Sequence, residues 1–481
     1  MPLLVLFCIF FYLVGVIQAA PTINTTLTST TTTDSFEAPS FTTRTIWSII
    51  SSSVLTLFAC IYSAIHPNIP SPKDSPNGIV RRRVGIMIMA LITPELIVTW
   101  AMRQWFSARQ VTRQIEESGY PSVEKQSVEA PKQRENCSLR LLAVLTEGVS
   151  SVLVFLRHFP GALTRWVKSS IKAYFSEQSE DYTWTQTHSF FVLMGGFMLY
   201  VDGKPYHTLQ PDEVLKLIRD QCIDAPTLTA NQIHDRSKGN AISKGLIMLQ
   251  VAWFVMQLIT RAIYHLETTQ LEAGTLAFAV LNFLTYAVWW NKPLNVQCPH
   301  PVYWKSTESR PENHINVNEP NSQGAVWAIL GPVFVSITDL IGLPFMPISR
   351  KLRVPTFDGS ITLEGSDKRV LLLSGLLMAT IFGGIHCMAW FFAFPTYQER
   401  VLWRMSAIAI TFTPWVCFLV GVIHGLIPRV VQIVCILTTG VSVILYITAR
   451  AVLLVLMFTT LRNLPPDAYK AVSWTSLVPH L

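Results

Sequence analysis

The sequence predicts an all-α protein, a polytopic transmembrane helix bundle of about eight spans with one long polar insert. Three observations carry that reading. Half of the 481 residues are hydrophobic and only 14% are charged, a balance foreign to soluble domains. The hydrophobic residues gather into runs of near membrane-spanning length. Tryptophans stand near the ends of those runs, where an amphipathic ring favours the lipid–water boundary. A backbone in lipid must satisfy its own hydrogen bonds, so such runs are helices.

Residues 1–20 are a separate apolar stretch closing on Gln18-Ala19-Ala20-Pro21. They read as a signal peptide, with an uncleaved anchor as the rival because no Lys or Arg precedes the apolar run. Residues 21–44 form a Thr/Ser-rich stalk, or in the plainer reading a disordered linker. Asn24 opens an N-glycosylation sequon, and Asn136 is a second candidate site. Export by this route implies the secretory pathway, ending at the plasma membrane or an endomembrane.

The expected spans are Ile46–Ile65, Val84–Ala101, Gly245–Tyr264, Gly274–Trp290, Ala325–Phe345, Val370–Phe394, Met405–Leu426 and Val430–Ala449. They divide the chain into a hairpin (45–101), the insert (102–243), a second hairpin (244–292), a loop (293–324), a four-span region (325–462) and a tail (463–481). The last run continues past Arg450 to Leu461, as a tilted or protruding helix would. Within the insert, Leu141–Phe159 carries Glu147 and Arg157 and reads as an interfacial helix. His188–Tyr200 is too short to span and reads as re-entrant or buried. Thr208–Asp220 opens with a helix-start signature, Pro211-Asp212-Glu213 ahead of an apolar face. Asn231–Lys244 reads as a helical lead-in to the third span.

Trp47, Trp100, Trp105, Trp289, Trp290, Trp327 and Trp403 read as interface anchors, and Lys292 as a snorkelling side chain beside them. Arg261 and Arg404, near span ends, read the same way. Loop charges do not decide the orientation. Eight cysteines form no CxxC; Cys60, Cys387, Cys417 and Cys435 read as small apolar residues, and Cys137 and Cys222 are candidates to pair if the insert is lumenal. There is no phosphate-binding loop, dinucleotide fingerprint, zinc-protease motif or nucleophile elbow. No aromatic–basic pattern suggests nucleic acid. The expectation is a protein that is not an enzyme and uses no cofactor or metal.

An ionisable group inside a bilayer is costly, so each is a candidate for function. Glu95 follows Pro94 near the middle of the second expected span. A kinked helix with a central carboxylate suits a proton or cation site, and equally a packing pair with a neighbouring helix. His386, Asp339 and Arg450 complete the candidate intramembrane polar site. Gly375, Ala379, Gly383 and Cys387 recur every fourth residue, as do Gly421 and Gly425, a spacing that permits close helix approach.

Several blocks are distinctive in combination: Thr45-Ile46-Trp47-Ser48, Ile65-His66-Pro67-Asn68-Ile69-Pro70, Pro94-Glu95, Arg103-Gln104-Trp105, Met194-Gly195-Gly196-Phe197 and Trp289-Trp290-Asn291-Lys292-Pro293-Leu294. Together they resemble a large family of fungal multi-pass membrane proteins without assigned activity. The likeness runs from about Thr45 to Pro299 and is weaker across Met102–Asp181 and the last four spans. It implies a multi-pass membrane protein and supplies no catalytic residues. The leading functional expectation is transport of a small solute or ion past Glu95 and His386, with the lipid bilayer as the other partner. The rival is a receptor or sensor whose insert, residues 102–243, meets a protein.

Overall fold

The computed structural model describes residues 41–119, 184–237, 241–305, 352–363, 365–424 and 429–472. The N-terminal apolar stretch, the stalk with Asn24, the second sequon at Asn136, Cys137, Leu141–Phe159 and the expected span Ala325–Phe345 with Trp327 and Asp339 lie outside them.

The described chain begins with strand β1 (Phe41–Thr43) and helix α1 (Ile46–Ala64). Thr45 caps α1, its hydroxyl accepting the Ser48 N–H at 3.1 Å. Pro67 and Pro70 disfavour helix in the residues before them, and after this irregular stretch the chain turns at residues 72–73, where the Asp74 N–H donates to the Ser71 carbonyl at 3.0 Å. Ser75 caps α2 (Pro76–Ile92), with a proline in the first turn, where its missing N–H costs nothing. α3 (Pro94–Glu117) follows after the single residue Thr93. The expected span Val84–Ala101 is therefore corrected, because the chain turns by 114° between α2 and α3. Pro94 has no N–H to offer the preceding turn, and Thr93 leaves the helical region at φ −136°.

The described part of the insert is a folded α/β unit. It holds α4 (Gln186–Leu193), β2 (Phe197–Val201), β3 (Lys204–Thr208), α5 (Pro211–Arg219) and α6 (Ala230–Arg236). Asp202 and Gly203 have φ of 50° and 75°, the pair of left-handed residues that a tight hairpin turn demands. β4 (His300–Tyr303) joins β2 in parallel, Phe197 opposite His300, so the sheet order is β3-β2-β4. His188–Tyr200 is thus a buried helix and strand rather than a re-entrant one. The helix expected from Thr208 is α5; the lead-in expected over Asn231–Lys244 is corrected, since α6 ends at Arg236 and Ser237 is extended before α7 begins at Ala241. The all-α expectation is corrected to a mostly helical protein carrying this sheet and a two-stranded ribbon of β1 with β5 (Lys470–Val472).

Among the described residues, five helices are long and apolar enough to cross a membrane: α1, α8 (Gln270–Val288), α9 (Gly365–Met388), α10 (Tyr397–His424) and α11 (Arg429–Thr459). Counting α2 and α3 as one broken span makes six. α7 (Ala241–Ile263), the expected third span, has a shorter apolar stretch, Leu249–Ile263. The last apolar run is one continuous helix, so it supplies a single span. α8 is the most enclosed, packed by α1, α3 and α9. On α11, Ile433, Leu437, Val441 and Ile444 are 62–67% exposed along one face, the pattern of a helix turned to lipid. Two apolar cores result. One, around Trp100, Trp289, Phe190 and Phe191, binds the α/β unit to α2 and α3; the other, around Phe278, Phe382, Trp403 and Leu453, fills the bundle.

Candidate functional site

The break after α2 strands backbone carbonyls at a helix end. Arg450 of α11 takes them up: Nη2 donates to the Leu91 carbonyl at 2.8 Å and Nε to the Ile92 carbonyl at 3.0 Å. One turn earlier on α11, the Tyr446 hydroxyl donates to Glu95 Oε1 at 2.5 Å. Glu95 stands in the first turn of α3, where the aligned peptide dipoles favour a carboxylate. It is therefore beside a helix start, not midway along a kinked helix as the sequence implied. The Arg450 guanidinium also lies 4.2 Å from the Phe382 ring centre and 5.1 Å from that of Phe278, so π faces replace part of its lost hydration.

His386, one turn beyond Phe382 on α9, is fully buried. Its ring packs on Phe382 at 4.6 Å and on Trp403 at 6.0 Å. Nδ1 donates to the Phe382 carbonyl at 2.9 Å, which leaves Nε2 as the acceptor nitrogen of the neutral ring. The charge of Arg450 acts on both Glu95 and His386. Within this cluster three buried polar atoms have no hydrogen-bond partner among the described residues: Glu95 Oε2, Arg450 Nη1 and His386 Nε2. The structure thus brings together three of the four expected residues, while Asp339 lies outside the described residues. Tyr446 was missed. Its place four residues before Arg450, on the same helical face, was the available signal.

A second polar centre lies between α3, the end of α8 and the segment 352–363. Lys292 is 3% exposed and turned inward, which corrects its reading as a snorkelling side chain. Its ammonium donates to the His66 carbonyl at 2.6 Å and Gln104 Oε1 at 2.8 Å, with Asn68 Oδ1 at 3.5 Å. The indole faces of Trp289 and Trp100 lie 4.5 and 5.2 Å away. No carboxylate is within ion-pair distance of it among the described residues, and burial pushes its pKa well below the ordinary lysine range. Around this cradle, Asn68 Nδ2, Trp100 Nε1 and Gln104 Nε2 all donate to the Asp358 carbonyl, at 3.0, 3.2 and 2.6 Å. Arg103 donates to the Phe357 carbonyl at 2.7 Å.

The other anchors separate in the same way. Trp47 and Trp290 are exposed, as boundary residues would be, whereas Trp100, Trp289 and Trp403 are core. Arg261 is buried and donates to the backbone carbonyls of Glu267, Asp467, Ala468 and Lys470 instead of reaching for headgroups. Cys222 is a buried free thiol.

Residues 6–143 and 162–316 match the model of a protein family described as a family of unknown function (DUF8562). The matched stretches contain Glu95 and the cradle residues Asn68, Gln104 and Lys292, whereas His386, Tyr446 and Arg450 fall beyond them. No curated protein and no solved structure matches the chain.

Proposed function

The chain belongs to that family of unknown function, and within it we propose a non-enzymatic multi-pass membrane protein that moves a small solute or ion through its helix bundle. Glu95 is the group that takes up and releases a proton on the path. The supporting observation is the cluster at the broken helix, where Glu95, Arg450 and His386 each keep a buried polar atom unpartnered. Interrupted helices are how membrane transporters place helix ends against a charged substrate or ion. Protonation of Glu95 weakens its acceptance from Tyr446, and so loosens α3 from α11. Entry through the secretory pathway, with a glycosylated stalk at Asn24, belongs to the same reading.

Purified protein reconstituted into vesicles tests it. Wild-type vesicles under a pH gradient are expected to show proton-linked flux across a panel of small solutes and ions. Glu95→Gln should abolish the pH dependence while the protein elutes as the same monodisperse species. Identical flux in both, or none in either, removes the proposal.

The rival is a membrane sensor with the insert as its partner-binding region. The observation favouring it is that the described half of the insert is a folded α/β unit fastened to the membrane helices by its own apolar core.

A further inference from the structure

α2 and α3 open at the same end of the bundle. The segment 65–70 after α1 meets Lys292, just beyond α8, and the Asp358 carbonyl, ahead of α9. α3 carries Trp100 and Gln104 to that same carbonyl. α2 starts at this end too, where Arg83 Nη1 donates to Asn295 Oδ1 at 2.8 Å. Between the two helices, the break at Thr93 reaches inward to Arg450. With its turn of 114°, the pair dips into the bundle from the end that bears the α/β unit and comes back to it. Tyr62, near the end of α1, and Trp290, after α8, are exposed at this end, and such rings mark the depth of the lipid–water boundary.

Positive charge is in excess where α2 starts. Arg82 Nη2 donates to Asp74 Oδ2 at 2.6 Å, and Arg353 faces the same carboxylate at 3.4 Å. The side chains of Lys73 and Arg81 are exposed and form no ion pair among the described residues. Four cations here therefore share one carboxylate. At the opposite end Arg44, Arg462 and Lys470 each face a carboxylate of their own, Glu272, Glu399 and Asp467. Alongside Arg81 the outward side of α2 is apolar: Val80, Val84 and Ile88, four residues apart, are 61, 47 and 51% exposed. A helix that is basic where it starts and apolar where it descends offers cations to headgroups and hydrocarbon to acyl chains. From this we propose that the start of α2, with Lys73, Arg81, Arg82 and Arg353, is a docking surface for anionic phospholipid of the leaflet at that end. Each cation near an anionic membrane surface adds an attraction that a zwitterionic headgroup does not return. The surface lies at the far end of α2 from Glu95 and does not depend on the transport reading.

Native mass spectrometry on the full chain in detergent tests it, with phosphatidylserine and phosphatidylcholine offered in turn. Wild type is expected to retain phosphatidylserine over phosphatidylcholine. The double variant Lys73→Gln/Arg81→Gln removes two exposed charges that hold no ion pair, so it should fold as wild type. It is expected to lose phosphatidylserine retention by about tenfold or more, the worth of two surface cations, with phosphatidylcholine retention unchanged. Lys470→Gln removes a half-exposed cation at the opposite end and should keep the wild-type preference. Equal retention of the two lipids by wild type overturns the proposal. So does a phosphatidylserine preference that survives the double variant, or one that Lys470→Gln lowers as much.

Discussion

Lys292 ties the turn after α8 to α3 and to the segment 65–70 through one ammonium, and its chemistry is readable because no carboxylate among the described residues pairs with it. Replacement by Met keeps the volume but strands the His66 carbonyl and Gln104 Oε1. Each unpaired acceptor costs about 1–3 kcal/mol, partly offset by relief of the buried charge, so a net loss of about 2 kcal/mol is expected near neutral pH. The sign of the pH effect follows from the lowered folded-state pKa. Between that value and the ordinary lysine range, the unfolded chain binds one more proton than the folded one, so stability rises with pH. Lys292→Met lacks this contribution, and its deficit should widen from neutral to alkaline pH in thermal unfolding of the detergent-solubilised protein. A deficit constant with pH would mean that the amine stays protonated in the folded state. This residue was legible as unusual from its place after Trp289-Trp290-Asn291, but its direction was not. Snorkelling and burial use the same side chain, and only the neighbours choose between them.

At the scale of the element, the small-residue stripe on α9 does what its spacing implied. A Cβ on Gly383 would overlap the Thr411 hydroxyl and stand 2.8 Å from the Thr411 Cα, and one on Gly375 would lie 3.0 Å from the Thr99 hydroxyl. α9 therefore approaches α10 at Gly383 and α3 at Gly375 more closely than any larger residue allows. Gly421 on α10 carries the same spacing and meets nothing within 4 Å, so there the packing reading is corrected; Gly425 lies outside the described residues. Gly383→Ala should cost about 1–3 kcal/mol through overpacking. Gly421→Ala should be neutral or stabilising by up to about 1 kcal/mol through helix propensity. Thermal midpoints of the two variants in one detergent check the contrast, and equal losses would refute the assigned contacts. The broken span is the other lesson at this scale. A proline after Thr93 was visible as a bend, yet whether it kinks one helix or starts another depends on whether the stranded carbonyls find a donor. Here Arg450 provides it.

For the whole molecule, the segment 352–363 fastens the α/β unit and the membrane helices together. The Asp358 carbonyl collects donors from Asn68, Trp100 and Gln104, and the Ile361 N–H donates to Ser107 at 3.1 Å. Gly359 sits in this crossing at φ +97°, where a side chain would both strain the backbone and meet Gln104. Loss of the cradle should therefore loosen one layer and spare the other. Hydrogen exchange on Lys292→Met is expected to quicken in 64–70 and 352–363 and to stay as in wild type across α9, α10 and α11. Uniform quickening would show that the bundle and the unit unfold as one and that the cradle is no separate tie.

The sequence by itself determined where the apolar helices of the described residues lie, because run length, proline and capping residues are properties of neighbouring positions. It also marked Glu95, His386 and Arg450 as costly in lipid, since that cost belongs to the side chain wherever it lies. The hairpin at Asp202-Gly203 was not anticipated, because an apolar stretch beside it reads equally as helix or strand until its ladder partner is known. Only the tertiary structure decided where the buried charges go. Arg450 meets the Ile92 carbonyl across 358 positions and Lys292 meets the His66 carbonyl across 226. Hydrogen bonds of that separation are set by how helices pack, and no local pattern of residues encodes them.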